Sequence, residues 1–268
     1  MTRTLRRAIF PLFAAVTLIV ISYPAVAFAW HAASPPGILS SVRDALSRNG
    51  MYEGLAISLL LVAVGGSLSD GMTLLASYAA SNLSRPHFRA FVVIITIPLF
   101  VRAGLIPFYM VVRSVGLAGS PAAMIIPILG SPAMVLLFSH VFRRTDYLSM
   151  MDAARIDGAG ELRVLTSILC PANPWTVALP LVTAALEFWN SWIPAFLFVN
   201  DSRFYPFQIV IRDMAAFSRS SLDLGIDRTS ASSNVLAAAG LLALIPSCIF
   251  ALLIAFHADH TVRKRRVP

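Results

Sequence analysis

Charged side chains are scarce in this sequence of 268 residues, where Asp, Glu, Lys and Arg together make up 13%. A soluble domain carries about 25% charged residues, so this chain has too little polar surface to cover itself in water. Hydrophobic residues make up 57% of it. The composition therefore excludes an ordinary soluble protein and indicates that the chain is surrounded by lipid.

Cysteine and nucleotide-binding motifs are also scarce or missing. The two cysteines, Cys170 and Cys248, lie far apart and match no metal-site spacing, and we expect neither a disulfide nor a metal. The sequence contains no Gly-x4-Gly-Lys-Ser/Thr phosphate loop, so the chain is not expected to bind ATP in that way. Serine, histidine and aspartate are too scattered for a catalytic triad. The chain is therefore predicted to be neither an enzyme nor a cofactor-binding protein.

Long apolar runs predict an all-α protein that crosses the membrane repeatedly. A membrane-spanning helix needs about 20 apolar residues, and six runs reach that length. We expect one membrane domain over residues 1–268, with a loop at 143–174 between the fourth and fifth spans. The predicted spans are Ala8–Trp30, Leu55–Ala80, Ala90–Val112, Pro121–Phe142, Trp175–Val199 and Val235–His257.

The distribution of basic residues predicts the orientation. Cytoplasmic loops of membrane proteins are enriched in Lys and Arg, and placing both termini inside puts thirteen basic residues on cytoplasmic segments and seven on outer loops. The net charge of +8 then reflects topology and contact with anionic lipid, not nucleic-acid binding. The first run also resembles a signal peptide, with Ala25, Ala27 and Ala29 near its end. Its length favours a retained anchor over a cleaved signal.

The loop at 143–174 is predicted to form two short helices with a bend. Ser149 and Asp152 have the spacing of a helix start, Gly158 and Gly160 permit a sharp turn, and Glu161 begins a second helical stretch. Pro171 and Pro174 mark the end of that stretch. A short helix with a small-residue face, flanked by charge, suits docking into a groove on a soluble partner.

The same loop resembles the cytoplasmic signature of permease subunits of binding-protein-dependent ATP-binding-cassette (ABC) importers. That signature is Glu-Ala-Ala, three residues, Gly, nine residues, then Ile-x-Leu-Pro. This chain has Asp152-Ala153-Ala154, then Gly158, then Ile168-Leu169-Cys170-Pro171, at the same spacings. Asp152 and Cys170 replace the usual Glu and Leu. The Ala-Ala-Arg-Ile-Asp-Gly-Ala string is similar to the carbohydrate branch, and other segments resemble the second permease of maltose-type systems.

The resemblance implies a transport subunit in the bacterial inner membrane. Its expected partners are a homologous second permease, two ATPase subunits that use ATP, an extracytoplasmic solute-binding protein, a sugar and the lipid bilayer. ATPase closure is expected to act through a coupling helix between the fourth and fifth spans. The residues that the resemblance assigns to ATPase coupling are Asp152, Ala153, Ala154, Arg155, Asp157, Gly158, Ile168 and Pro171.

Two groups of residues within the spans are candidates for the transport pathway. Trp189, Asn190 and Trp192 could bind a sugar by stacking and hydrogen bonding, or could belong to an aromatic belt at the membrane surface. Asp70, Arg102 and Glu187 are predicted at similar depths. An ionisable group inside a membrane normally has a partner, so we expect Arg102 to meet one of the carboxylates, with Asp70 the preferred partner. That set is either structural or part of the pathway.

Alternative functions remain open at this stage. A permease of the same class could carry glycerol phosphate or a polyamine instead of a sugar. An ion-coupled secondary transporter is a different class, but we see no inverted repeat, and it would leave the coupling loop without a role. A membrane-embedded enzyme lacks a clustered catalytic set.

Overall fold

The computed structural model describes residues 50–101 and 104–223, together with residues 43 and 240. Within these residues the chain is helical and contains no strand, which agrees with the predicted all-α class. The first predicted span, and the sixth apart from Gly240, lie outside the described residues. We number the helices α1 Met51–Ser81, α2 Arg85–Phe100, α3 Leu105–Ser114, α4 Pro132–Phe142, α5 Thr145–Ile156, α6 Glu161–Ala172, α7 Trp175–Trp189, α8 Trp192–Phe198 and α9 Phe207–Asp223.

The longest described helix, α1, covers the second predicted span. Its 31 residues contain no proline, and leucine is the commonest residue, so the helix is uninterrupted. Among the described residues it is long and apolar enough to cross a membrane by itself, and up to four crossings result if each bent helix pair counts as one. The exact set of six spans remains a prediction.

The intervals of the third, fourth and fifth predicted spans each hold more than one helical segment. The third contains most of α2 and α3. The fourth has two 3₁₀ turns, Pro121–Met124 and Ile126–Ile128, before α4, and the fifth is divided between α7 and α8. The 3₁₀ turns and α4 meet at a bend of 40°.

Two polar side chains on α1, Ser69 and Thr73, form hydrogen bonds with backbone N–H groups at the interruption before α4. The Ser69 hydroxyl accepts a hydrogen bond from the Gly130 N–H at 3.0 Å, and the Thr73 hydroxyl accepts one from the Ser131 N–H at 3.2 Å. Ser69 and Thr73 are buried. Because an unpaired backbone group is costly in a membrane, these two side chains make the broken helix tolerable.

The described residues divide between two compact units, and α1 begins in the first and continues into the second. The first contains residues 50–56 and 206–223, and the second contains Ile57–Tyr205. In the first, Phe207 and Ile209 at the start of α9 are buried. The helix α9 lies in a stretch that is predicted as an outer loop, because its polar residues keep the stretch less apolar than a membrane span.

The second unit has a hydrophobic core that joins α1, α4, α5 and α6. The core residues are Leu74, Tyr78, Phe138, Phe142, Met151, Ala154, Val164, Leu165 and Leu169. A separate cluster contains Val112, Ala123 and Phe198. At Gly65, an added Cβ would lie 2.6 Å from the ring of Phe188, so a glycine there lets α1 and α7 pack closely, as expected for membrane helices.

Candidate functional site

The candidate site is the segment from α5 to α6, which carries the sequence signature. The helix α5 begins at Thr145, after Arg144 in an extended conformation. The predicted helix start at Ser149 is therefore wrong: Ser149 lies within the helix, and its hydroxyl donates to the Asp146 carbonyl oxygen at 2.9 Å. Asp146 in the first turn is favourable because helix N-termini carry a partial positive charge.

The turn at the end of α5 is a Schellman motif, so the predicted bend at Gly158 is confirmed. The N–H of Ala159 donates to the Ala154 carbonyl oxygen at 3.0 Å, and the N–H of Gly158 donates to the Arg155 carbonyl oxygen at 3.0 Å. Gly158 has φ +79°, a left-handed conformation that favours glycine. The turn therefore follows directly from the local sequence.

The helix α5 has one face in the core and one face exposed. Met151 and Ala154 are buried against α6, whereas Asp152, Ala153 and Asp157 are exposed. Ile156 is 87% exposed, the highest value among the large apolar side chains that the structure describes. The two signature alanines thus point in different directions, and only Ala153 is available to a partner.

Arg155 is engaged within the chain. Its guanidinium forms an ion pair with Glu161 at 3.0 Å and another with Asp152 at 3.5 Å, and it donates to Asn82 Oδ1 at 2.9 Å. The Tyr78 hydroxyl donates to Glu161. The hydrogen bonds from Arg155 and then Tyr78 hold the pKa of the Glu161 carboxyl below its usual range, and the bond to Glu161 raises the pKa of Arg155.

The second helical stretch starts at Glu161 as predicted and ends at Ala172, close to the predicted prolines. Residues Val164–Leu169 form a π-helical turn, a feature that sequence periodicity does not reveal and that often marks functional positions. Ile168 is half-buried against the core, and Pro171 is exposed. Between α6 and α7 the chain bends by 92°.

The three pathway candidates do not share one exposed surface. Trp189 is buried with 6% of its surface exposed, Asn190 is exposed and Trp192 is half-buried. Asn190 donates its side-chain N–H to the Leu186 carbonyl oxygen at 2.9 Å. The helix is interrupted between α7 and α8 at Asn190 and Ser191, so a linear pattern could not predict these exposures.

The carboxylates expected to meet Arg102 differ in their surroundings. Asp70 is buried, and its Oδ1 has no hydrogen-bond partner among the described residues. Glu187 is exposed on α7. Arg102 itself lies outside the described residues, and its pairing stays a prediction. No cluster of His, Cys, Asp or Glu that could hold a metal ion occurs in the part of the chain that the structure describes.

Comparisons with known proteins connect this arrangement to transport. No protein-family model matches the chain. It is 25% identical over 180 residues to the polygalacturonan/rhamnogalacturonan transport system permease protein YtcP of Bacillus subtilis (strain 168), covering 67% of this chain and 63% of that protein. It is 28% identical over 172 residues to the sn-glycerol-3-phosphate transport system permease protein UgpE of Rhizobium meliloti (strain 1021), covering 63% and 61%. The matched region thus spans about three fifths of each relative.

A solved structure shares the fold. It is the crystal structure of a bacterial ABC transporter involved in the import of the acidic polysaccharide alginate, with a TM-score of 0.74, 18% identity, and coverage of 95% of this chain and 98% of that one. The fold is thus the helical permease fold of an ABC transporter. Within that class, the chain is similar in sequence to carbohydrate-branch permeases, and the resemblance inferred from its signature is confirmed.

Proposed function

We propose that this chain is one of two permease subunits of a bacterial ABC importer for a carbohydrate. The observation that carries the proposal is the α5–turn–α6 segment, in which signature residues form an exposed face on a helix fixed to the end of α1. The permease fold and the permease relatives support the same function. In this function the chain crosses the membrane six times with both termini in the cytoplasm.

The exposed face of α5 would dock on an ATPase subunit. Asp152 and Asp157 supply charge, Ala153 allows close approach, and Ile156 offers an apolar contact. Two ATPase subunits bind and hydrolyse ATP, and their closure moves α5 as a rigid body. The permease contributes the pathway and takes no part in the chemistry of hydrolysis.

The remaining partners are a second permease, an extracytoplasmic binding protein and the lipid bilayer. The helix α2 supports this assembly because it contains no buried residue, so its apolar surface needs lipid or protein around it. Asn190 and Trp192 remain pathway candidates. Trp189 is buried in the chain and is better suited to supporting that surface than to contacting a sugar.

The substrate is proposed to be a sugar or oligosaccharide. The similarity to UgpE favours glycerol phosphate as the second candidate. The two can be separated by purifying the binding protein encoded beside this permease and measuring its affinity for neutral oligosaccharides, uronic-acid oligosaccharides and glycerol phosphate. Preference for glycerol phosphate would contradict the carbohydrate assignment but keep the permease assignment.

Reconstitution tests the function as a whole. The chain, its second permease, the ATPases and the binding protein are placed in liposomes, and uptake of the binding protein's ligand is measured with and without internal ATP. We expect uptake only with ATP and no ATP hydrolysis by the chain alone. Uptake that persists without the ATPases and follows an ion gradient would overturn the proposal in favour of a secondary transporter.

A further inference from the structure

The side chains of Arg155, Glu161, Tyr78 and Asn82 form a hydrogen-bonded cluster, called the clasp below. Arg155 lies in the last turn of α5, Glu161 begins α6, and Tyr78 and Asn82 lie at the end of α1 and just beyond it. Arg155 donates to Glu161 at 3.0 and 3.1 Å, to Asn82 at 2.9 Å and to Tyr78 at 3.3 Å. The clasp therefore connects α5 and α6 with the end of α1, whose residues lie 77 and 73 positions from Arg155 in sequence.

The turn between α5 and α6 has open space beside its two glycines. A Cβ added at Gly158 or Gly160 would meet no atom within 4 Å, so no side chain packs against the turn at these positions. Ala159, between these glycines, packs against the core, and the same core places α5 on α1 through Met151 and Leu74. The clasp adds the polar contacts on either side of the turn that fix its direction relative to the end of α1.

The clasp contributes little to stability. The side chains of Arg155 and Glu161 are 34% and 61% exposed, and exposed ion pairs are weak because water screens them. The hydrophobic core holds α5 and α6 together through Met151, Val164 and Leu165. A cluster that adds little stability but fixes the direction of a turn is suited to positioning.

We infer that the clasp couples ATPase movement on α5 to the end of α1, beside the core contacts that both helices share. The inference rests on the proposed function, since it takes the exposed face of α5 as the ATPase contact. A push on that face is passed through Arg155 to Asn82 and Tyr78, so the end of α1 follows α5. Glu161 is a positioning residue: it holds the guanidinium of Arg155 in place and makes no contact with ATP or substrate.

The test measures coupling in the reconstituted complex as molecules transported per ATP hydrolysed. We expect Glu161→Gln to lower this ratio about fivefold, at the low end of typical coupling free energies, because the neutral amide holds Arg155 weakly. We expect Tyr78→Phe to lower it about twofold, as for the loss of one hydrogen bond. A merely structural role would lower transport and ATP hydrolysis together and leave the ratio unchanged.

The matched control is Asp201→Asn. Asp201 forms an exposed ion pair with Arg203 at 2.7 Å, but this pair joins residues two positions apart and connects no helices, so its loss should leave the ratio unchanged. An unchanged ratio in Glu161→Gln overturns the inference, and if that variant fails to assemble, an unchanged ratio in Tyr78→Phe does so. A wild-type complex without ATP-dependent uptake instead contradicts the proposed function.

Discussion

The segment α5–α6 and the helix α2 represent two extremes of packing in this molecule. Met151, Val164 and Leu169 on the first segment are fully buried within the chain, whereas α2 contains no buried residue and Ile94 is 66% exposed. Both are helical, and α2 is the more apolar of the two. The burial of side chains in a membrane protein thus shows where one helix packs on another. Hydropathy alone does not distinguish such packing from contact with lipid.

The comparison has a functional consequence. A segment packed on the chain's own core moves with that core, which is what a coupling element needs. A helix without internal packing is free to face lipid or a partner subunit, because lipid chains are as apolar as leucine. Hydropathy places α2 within an apolar span, whereas α5 and α6 are predicted from capping and glycine patterns, and neither signal separates the two roles.

The largest expected effect on transport comes from a substitution at Gly158, in the α5–α6 segment. Replacing it with Trp should abolish ATP-dependent uptake while membrane insertion persists, since a bulky residue is strained at φ +79° and would obstruct docking. The left-handed conformation alone costs about 1–2 kcal/mol. Uptake in liposomes and the amount of inserted protein are the measurements.

The control for Gly158 is Gly116, an exposed glycine outside the α5–α6 segment. Gly116 follows α3 in the same type of turn, with φ +77°, and no atom lies within 4 Å of an added Cβ. Gly116→Trp carries the same backbone strain but should retain most of the uptake. Equal losses in the two variants would mean that strain, and not docking, explains the effect at Gly158.

Phe142 and Ile94 test the packing difference directly. Phe142 is fully buried and contacts the rings of Phe138 and Tyr147, so Phe142→Ala should lower the free energy of unfolding by about 3–5 kcal/mol. Ile94→Ala should change it by less than about 0.5 kcal/mol. Thermal unfolding of the purified complex in lipid nanodiscs measures both. A large loss at Ile94 would show that α2 is packed on the second permease and not on lipid.

The sequence was a good predictor where the signal is local. The turn at Gly158 and the helix start at Glu161 were predicted because glycine and the signature spacing act over a few residues. The start of α5 was missed because Ser149 has a capping pattern, while Arg144 in an extended conformation allows the helix to begin earlier. The clasp was missed because Tyr78 and Asn82 come close to Arg155 only through folding, and the sequence had suggested an ATPase contact for Arg155.

Hydropathy also does not predict the interruption before α4. Residues 121–142 read as one apolar run, yet the chain there forms 3₁₀ turns, a bend and a helix. The compensating groups, Ser69 and Thr73, lie on another helix at a four-residue spacing. That spacing on an apolar helix is the one sequence signal that could have indicated a broken neighbour, but it does not say which one.

Replacing Thr73, which accepts a hydrogen bond at the interruption before α4, should have an effect of intermediate size on stability. Thr73→Val keeps the shape but removes the acceptor for the half-buried Ser131 N–H, at a cost of about 1 kcal/mol. Ser67→Ala is the control on the same helix, because the exposed Ser67 hydroxyl donates only to its own helix at the Ala63 carbonyl oxygen. Thermal unfolding of both variants is compared, and similar midpoints would contradict the role given to Thr73.

The smallest expected effect concerns the charge that holds α5 to α6. The pKa of Glu161 in the folded chain is lowered by Arg155 and Tyr78. The clasp's contribution is therefore present above the unfolded-state pKa of about 4.3 and is lost as the pH falls through the lower folded-state value. Because the pair is exposed, the contribution is below about 1 kcal/mol. The measurement is the difference in free energy of unfolding between wild type and Glu161→Gln, followed from neutral to acidic pH. This difference should disappear at the acidic end, and a difference that stays constant with pH would mean that the carboxylate charge does not stabilise the segment.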